Sequence, residues 1–247
     1  MATFILVHGA WHGGWCWERV TPLLEAAGHT VIAPDLPGMG QDTTPLASVS
    51  LELWARFVAD LAARQPEPVI LVGHSRGGIV ISQAGEYAPA SIRGLVYLTA
   101  FLVQDGQSLL ATMQRTPRDP ALPPEFEPSE DGTTLSLVPG AAARTFYNTT
   151  EPAWQARAAA LVGPEPAVAF TTPVAISGAR YGSVRRAYVE CLQDRAIPIK
   201  AQRMMQADLP CERVVTLDCD HSPFYAAPDA LAEGLVGLAE HFADQAE

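Results

Sequence analysis

Apolar residues in this chain fall into two patterns: short continuous runs, and longer stretches in which they recur every three or four positions. Runs of the first kind predict strands buried on both faces, and stretches of the second predict amphipathic helices. Thr3 to His8 reads as a buried strand that ends in a Gly-containing loop. Trp15 to Ala27 has helical spacing and stops at Gly28; Thr30 to Ala33 is the next strand, closed by Pro34. In Leu51 to Arg64 the residues Leu51, Trp54, Phe57, Val58 and Leu61 share one helix face. Pro68 to Val72 predicts a strand, Ser75 to Tyr87 a helix and Ile92 to Leu98 a further strand. Alternation of this kind builds a parallel sheet with crossover helices.

The alternation breaks between about Asp105 and Pro173, where prolines crowd at Pro117, Pro120, Pro123, Pro124 and Pro128. This stretch also carries Phe126, Phe146, Tyr147, Trp154 and Phe170, more aromatic surface than a solvated linker holds. It reads as an insertion lying over the sheet. Alternation then resumes with a strand at Val184 to Leu192, a helix near Pro198 to Gln206, a strand at Arg213 to Leu217 and a helix from Asp229 to Phe242. The expected organisation is one α/β core, 1–104 with 174–247, and a cap of 105–173.

Composition narrows the class. The chain has 247 residues, 48% of them hydrophobic, ample for one large core. Its formal net charge of -11, with Arg185 and Arg186 as the only basic pair, argues against nucleic-acid binding, which needs a basic face. That pair reads as a solvated strand start. No apolar run approaches the ~20 residues that span a bilayer, and the N-terminus does not read as a secretory signal, so a cytoplasmic protein with no membrane partner is expected. Cys16, Cys191, Cys211 and Cys219 have no metal-ligand spacing and are expected to be reduced thiols.

Chemistry enters at Gly73-His74-Ser75-Arg76-Gly77, a G-x-S-x-G pattern between a predicted strand and a predicted helix. In that context the serine hydroxyl stands at the C-terminal edge of the sheet, where such sheets bind ligands. A hydroxyl becomes a useful nucleophile only when a base takes its proton, and the partners follow in the order Ser, Asp or Glu, His. His8, His12, His29 and His74 precede Ser75, and His241 falls in the last helix, where it is expected to be exposed. His221, after the strand Arg213 to Leu217, fits the base. Asp194 is favoured as the acid because it follows the strand Val184 to Leu192. Glu190 would lie within that strand, Asp208 belongs to a helix end, and Asp218 and Asp220 sit close to His221 in sequence. The oxyanion of an acyl-transfer intermediate needs backbone N–H donors, for which Arg76 and Ala10 are the candidates. Trp11, Phe101, Leu102, Phe126, Phe146, Trp154 and Phe224 are candidate pocket lining, while Trp15 and Trp17 read as core.

The stretches His8-Gly9-Ala10-Trp11-His12-Gly13-Gly14-Trp15, Pro22 to His29, Gly73 to Gly78, Tyr181 to Val184 and Asp220-His221 resemble the methylesterase and hydroxynitrile lyase family of α/β-hydrolases. The resemblance spans nearly the whole chain and is weakest in the cap. It implies an α/β-hydrolase fold, a Ser75–Asp194–His221 triad with Ala10 and Arg76 as oxyanion donors, and a serine carboxylesterase acting on a small or medium apolar, even aromatic, ester. No cofactor or metal is implied; a homodimer stays open. The lyases of that family need a threonine in the first loop and a lysine after the histidine, where this chain has Gly9 and Ser222. Ester hydrolysis therefore ranks above two alternatives on the same scaffold, a lyase or carbon–carbon bond hydrolase and a non-catalytic ligand receptor.

Overall fold

The computed structural model describes residues 1–116 and 125–244. Pro117, Pro120, Pro123 and Pro124 lie outside the described residues. Six parallel strands form the central sheet: β1 (Thr3–Val7), β2 (Thr30–Ile32), β3 (Val69–His74), β4 (Ile92–Leu98), β8 (Arg185–Cys191) and β9 (Arg213–Leu217). Their spatial order is β2-β1-β3-β4-β8-β9. Three strands of the inserted segment, β5 (Phe126–Pro128), β6 (Thr134–Leu137) and β7 (Glu165–Pro166), make a small antiparallel sheet instead.

The apolar runs account for the main sheet. Every residue of β3 is buried, as a central strand covered on both faces requires. Helix Leu51–Ala63 starts where the Ser50 hydroxyl accepts the Leu53 N–H, and it buries Leu51, Trp54, Ala55 and Val58. Helix Gly77–Tyr87 is buried from Gly77 through Gly85. It can press so close to the sheet because a Cβ at Gly77 would meet the Val7 carbonyl at 2.8 Å, and one at Gly78 the Phe101 carbonyl at 2.3 Å.

Local chemistry also explains where the observed elements differ from the pattern. The helix expected over Trp15 to Ala27 splits into a 3₁₀ turn, Gly14–Trp17, and a helix, Thr21–Ala26. Pro22 sits in the first turn of that second helix, where its missing N–H costs nothing. The inserted segment holds helices as well as strands, notably Leu109–Arg115 and Pro152–Ala159. Arg185 and Arg186 are half-buried rather than solvated, with Arg185 2.7 Å from Glu212. His241 is also half-buried, because the Arg185 guanidinium packs against its Nε2 at 3.0 Å. Cys16, Cys191 and Cys219 are buried free thiols and Cys211 is a half-buried one. No helix among the described residues is long and apolar enough to cross a membrane.

Candidate active site

A parallel sheet puts the C-terminal ends of all its strands on one edge, so the loops after β1, β3, β4, β8 and β9 converge. Those loops carry Ala10 and Trp11, Ser75, Thr99, Asp194 and His221 respectively. Helix Gly77–Tyr87 begins two residues later than the pattern suggested, leaving Ser75 in the connecting turn with φ +52°. From Val69 to Gly85 it is the one residue that is not fully buried. Trp11 (φ +62°) and Thr99 (φ +36°) are the other non-glycine residues in left-handed conformations among those described. All three lie at this edge. Such conformations cost about 1–3 kcal/mol each and persist only where their surroundings hold them.

Asp194 and His221 meet 27 positions apart in sequence: His221 Nδ1 lies 2.7 Å from Asp194 Oδ2. The same oxygen accepts the Thr99 hydroxyl, while Oδ1 accepts the Ala196 and Ile197 N–H groups at 2.7 and 2.8 Å. A carboxylate among donors accepts throughout, so His221 Nδ1 carries a proton and donates it to Asp194. His74 Nε2–H donates to the His221 carbonyl at 2.8 Å and anchors the histidine loop from below. Ser75 and His221 line one cavity, although the Ser75 hydroxyl makes no hydrogen bond among the described residues. Such contacts are often long until substrate closes the site.

The other acids are engaged elsewhere. Glu190 binds Arg203 at 2.8 Å, Asp208 binds Arg115, and Asp218 accepts from Gln193 at 2.9 Å. Asp220 Oδ2 takes the Thr149 and Thr150 N–H groups at 2.8 and 2.9 Å, tying the inserted segment to the histidine loop.

A cavity of about 40 Å³ opens at this edge. Trp11, Phe101, Phe126 and Phe146 line it, with Ala10, Ser75, Arg76 and His221 at its polar end. Leu102, Trp154 and Phe224 do not line it. Leu102 is buried in the core beside the cavity-facing Phe101. Phe224 packs edge-on against His74 at 5.0 Å, and Trp154 lies on Tyr225 at 4.9 Å beneath the Arg19 guanidinium. Leu109, Met113, Glu125, Phe170, Ala196 and Ile197 complete the wall and were not among the sequence candidates. Trp17 is fully buried, and Trp15, partly buried, stacks on His12 at 5.1 Å.

Electrostatics beneath the site are those of neutral imidazoles. Burial pushes His8 and His74 well below the usual histidine value and holds His12 at about 4. Each ring is committed to the backbone: His8 Nδ1–H donates to the Gly9 carbonyl at 2.9 Å, His12 Nδ1–H to Ala10 at 2.6 Å. Sequence reasoning also missed Glu165, whose carboxylate is fully buried and pairs with the equally buried Arg76 at 2.9 Å. Burial lowers Arg76 and raises Glu165, and each opposes the other's shift through its charge. Only the mid-chain position of a carboxylate in an apolar context hinted at this role. Among the described residues no cluster of three or more His, Cys, Asp or Glu is placed to hold a metal.

A parallel six-stranded sheet, a serine on a strained strand-to-helix turn and a histidine–aspartate pair after later strands are features of one fold family. Residues 4–234 match the alpha/beta hydrolase family, and the chain belongs to it. It is 35% identical to a pyrethroid hydrolase of Sphingobium wenxiniae, over 96% of this chain and 87% of that one. It is 32% identical to methylesterase 1 of Arabidopsis thaliana, over 97% and 96% of the two chains. The crystal structure of a methylesterase protein from Arabidopsis superposes with a TM-score of 0.86 at 26% identity, covering 98% of this chain and 100% of that one. With such full-length relatives, the chain is a carboxylic ester hydrolase of the methylesterase type.

Proposed function

We propose that this chain is a serine carboxylesterase that hydrolyses a small or medium apolar ester, aromatic esters included, through an acyl-enzyme on Ser75. The observation that carries the reading is the His221–Asp194 pair, 2.7 Å apart, facing the same aromatic-walled cavity as the left-handed Ser75. His221 Nε2 takes the Ser75 proton as Oγ attacks the ester carbonyl, while Asp194 holds the ring and stabilises the imidazolium. The N–H groups of Ala10 and Arg76, which donate to no other group among the described residues, receive the oxyanion. His221 protonates the departing alcohol, then activates the water that cleaves the acyl-enzyme.

The first loop favours hydrolysis over cyanohydrin cleavage. A Cβ at Gly9 would meet Ser75 Cβ at 2.9 Å and His74 Nδ1 at 2.8 Å, so a threonine has no room there. No cation follows His221, where the buried Ser222 stands.

The test is a panel of p-nitrophenyl esters, methyl esters of aromatic acids, a pyrethroid and a cyanohydrin, run against the wild type and Ser75→Ala. We expect ester turnover with release of both products, reduced by at least about 10⁴-fold in the variant. A folded Ser75→Ala protein with full esterase activity would refute the reading.

A further inference from the structure

The Arg76–Glu165 pair is unexplained by the hydrolytic steps. Both side chains are buried at 0% exposure, a position that seldom adds net stability because two charges lose their water. What such a pair supplies is fixed geometry, and its hydrogen bonds run to a single place. Arg76 Nη2 donates to the Gly9 carbonyl at 3.0 Å, and its Nε to Glu165 Oε1 at 2.9 Å. Glu165 Oε2 accepts the Trp11 N–H at 3.0 Å. The Trp54 ring lies under the guanidinium, 4.1 Å from its carbon, and keeps the fork in place.

These contacts bracket Ala10. The carbonyl of Gly9 and the N–H of Ala10 belong to one planar trans peptide and point in opposite directions. Holding the carbonyl therefore aims the N–H. The next peptide is held at both ends, its carbonyl by His12 Nδ1 and its N–H by Glu165. Trp11, with φ +62°, is a bulky residue that does not keep this conformation unaided. The inserted segment grips it further: the Gly163 N–H donates to the Trp11 carbonyl at 3.0 Å, and the Trp11 indole N–H to Leu135 at 2.9 Å.

We infer that Arg76 and Glu165 are positioning residues that preset the Ala10 N–H as an oxyanion donor, so that a charge on β7 of the inserted segment sets the geometry of the first loop. This rests on the serine-esterase reading above. The side chain of Arg76 acts through Gly9, and Glu165 through Trp11 and Arg76.

The experiment compares wild type, Glu165→Gln and the double variant Arg76→Met/Glu165→Gln on p-nitrophenyl butyrate. Each protein is also titrated with an aryl trifluoromethyl ketone, which forms a tetrahedral oxyanion, and with butyrate, which does not. Outright loss of an oxyanion donor costs about 10²–10³ in kcat, and a misaimed one less. We expect kcat to fall about 10–100-fold in both variants with KM within about threefold. Ketone affinity should fall by the same factor as kcat and butyrate affinity should hold. The double variant leaves no unpaired charge, so it stays informative if Glu165→Gln does not fold. A double variant with parental kcat and ketone affinity overturns the inference, as does an equal loss of ketone and butyrate binding, which signals general damage to the pocket. Ser75→Ala, run alongside, separates the two claims: activity that survives it defeats the esterase reading, whereas its loss beside intact Arg76/Glu165 variants defeats the positioning role alone.

Discussion

Mild acid should destabilise this protein through the histidines beneath its candidate active site. His8, His12 and His74 are fully buried and held below the ordinary histidine pKa of about 6.5, His12 at about 4. Their folded values are depressed, so the unfolded chain binds more protons and stability rises with pH. The stabilisation is complete above the unfolded pKa and is lost as pH falls toward the folded one. From pH 7 to 5.5 each ring costs on the order of 1 kcal/mol, because the unfolded state gains a proton that the folded state refuses. Three rings together cost roughly 3–4 kcal/mol, a large part of a net stability of ~5–15 kcal/mol. For a chain of this length that lowers Tm by on the order of 10 °C. The cause is visible at His8, whose Nε2 accepts the Leu36 N–H at 3.1 Å and would face a donor if protonated. The assay is urea unfolding followed by tryptophan fluorescence at half-unit steps across this window, which lies above the ordinary carboxylate range. His12→Gln should remove about one third of the slope. A stability that is flat between pH 7 and 5.5 would refute neutral burial of these rings.

Further outcomes test the local arguments. Asp194→Asn keeps the shape of the site but turns a donor toward His221 Nδ1 or the Ala196 and Ile197 N–H groups. Steady-state kinetics on p-nitrophenyl esters should show a fall in kcat of about 10⁴-fold. Gly78→Ala places a Cβ 2.3 Å from the Phe101 carbonyl and should sharply reduce soluble, folded yield. Gly237→Ala, in the exposed interior of helix Pro228–Ala243 with nothing within 4 Å, should raise stability in urea melts by about 0.4–1 kcal/mol.

Local pattern carried the scaffold. A strand buried on both faces must be almost continuously apolar, which is why Ile92–Leu98 has the bounds that its run suggests, whereas Arg213–Leu217, a largely exposed edge strand, was legible from its β-branched residues and flanks. Strand–helix alternation entails a parallel sheet, and a parallel sheet places its loops on one edge. Ser75, Asp194 and His221 could therefore be brought together on paper from a motif and two strand ends. Tertiary structure decided what depends on partners far along the chain. Trp11 meets Glu165 across 154 positions and Arg76 meets it across 89, so no window of sequence contains either contact. The choice of Phe170 over Trp154 for the cavity wall follows from packing of the inserted segment, whose short elements lack a sustained period, and Phe224 is drawn away by packing against His74. The neutral state of the buried histidines likewise comes from desolvation, which only the folded chain imposes.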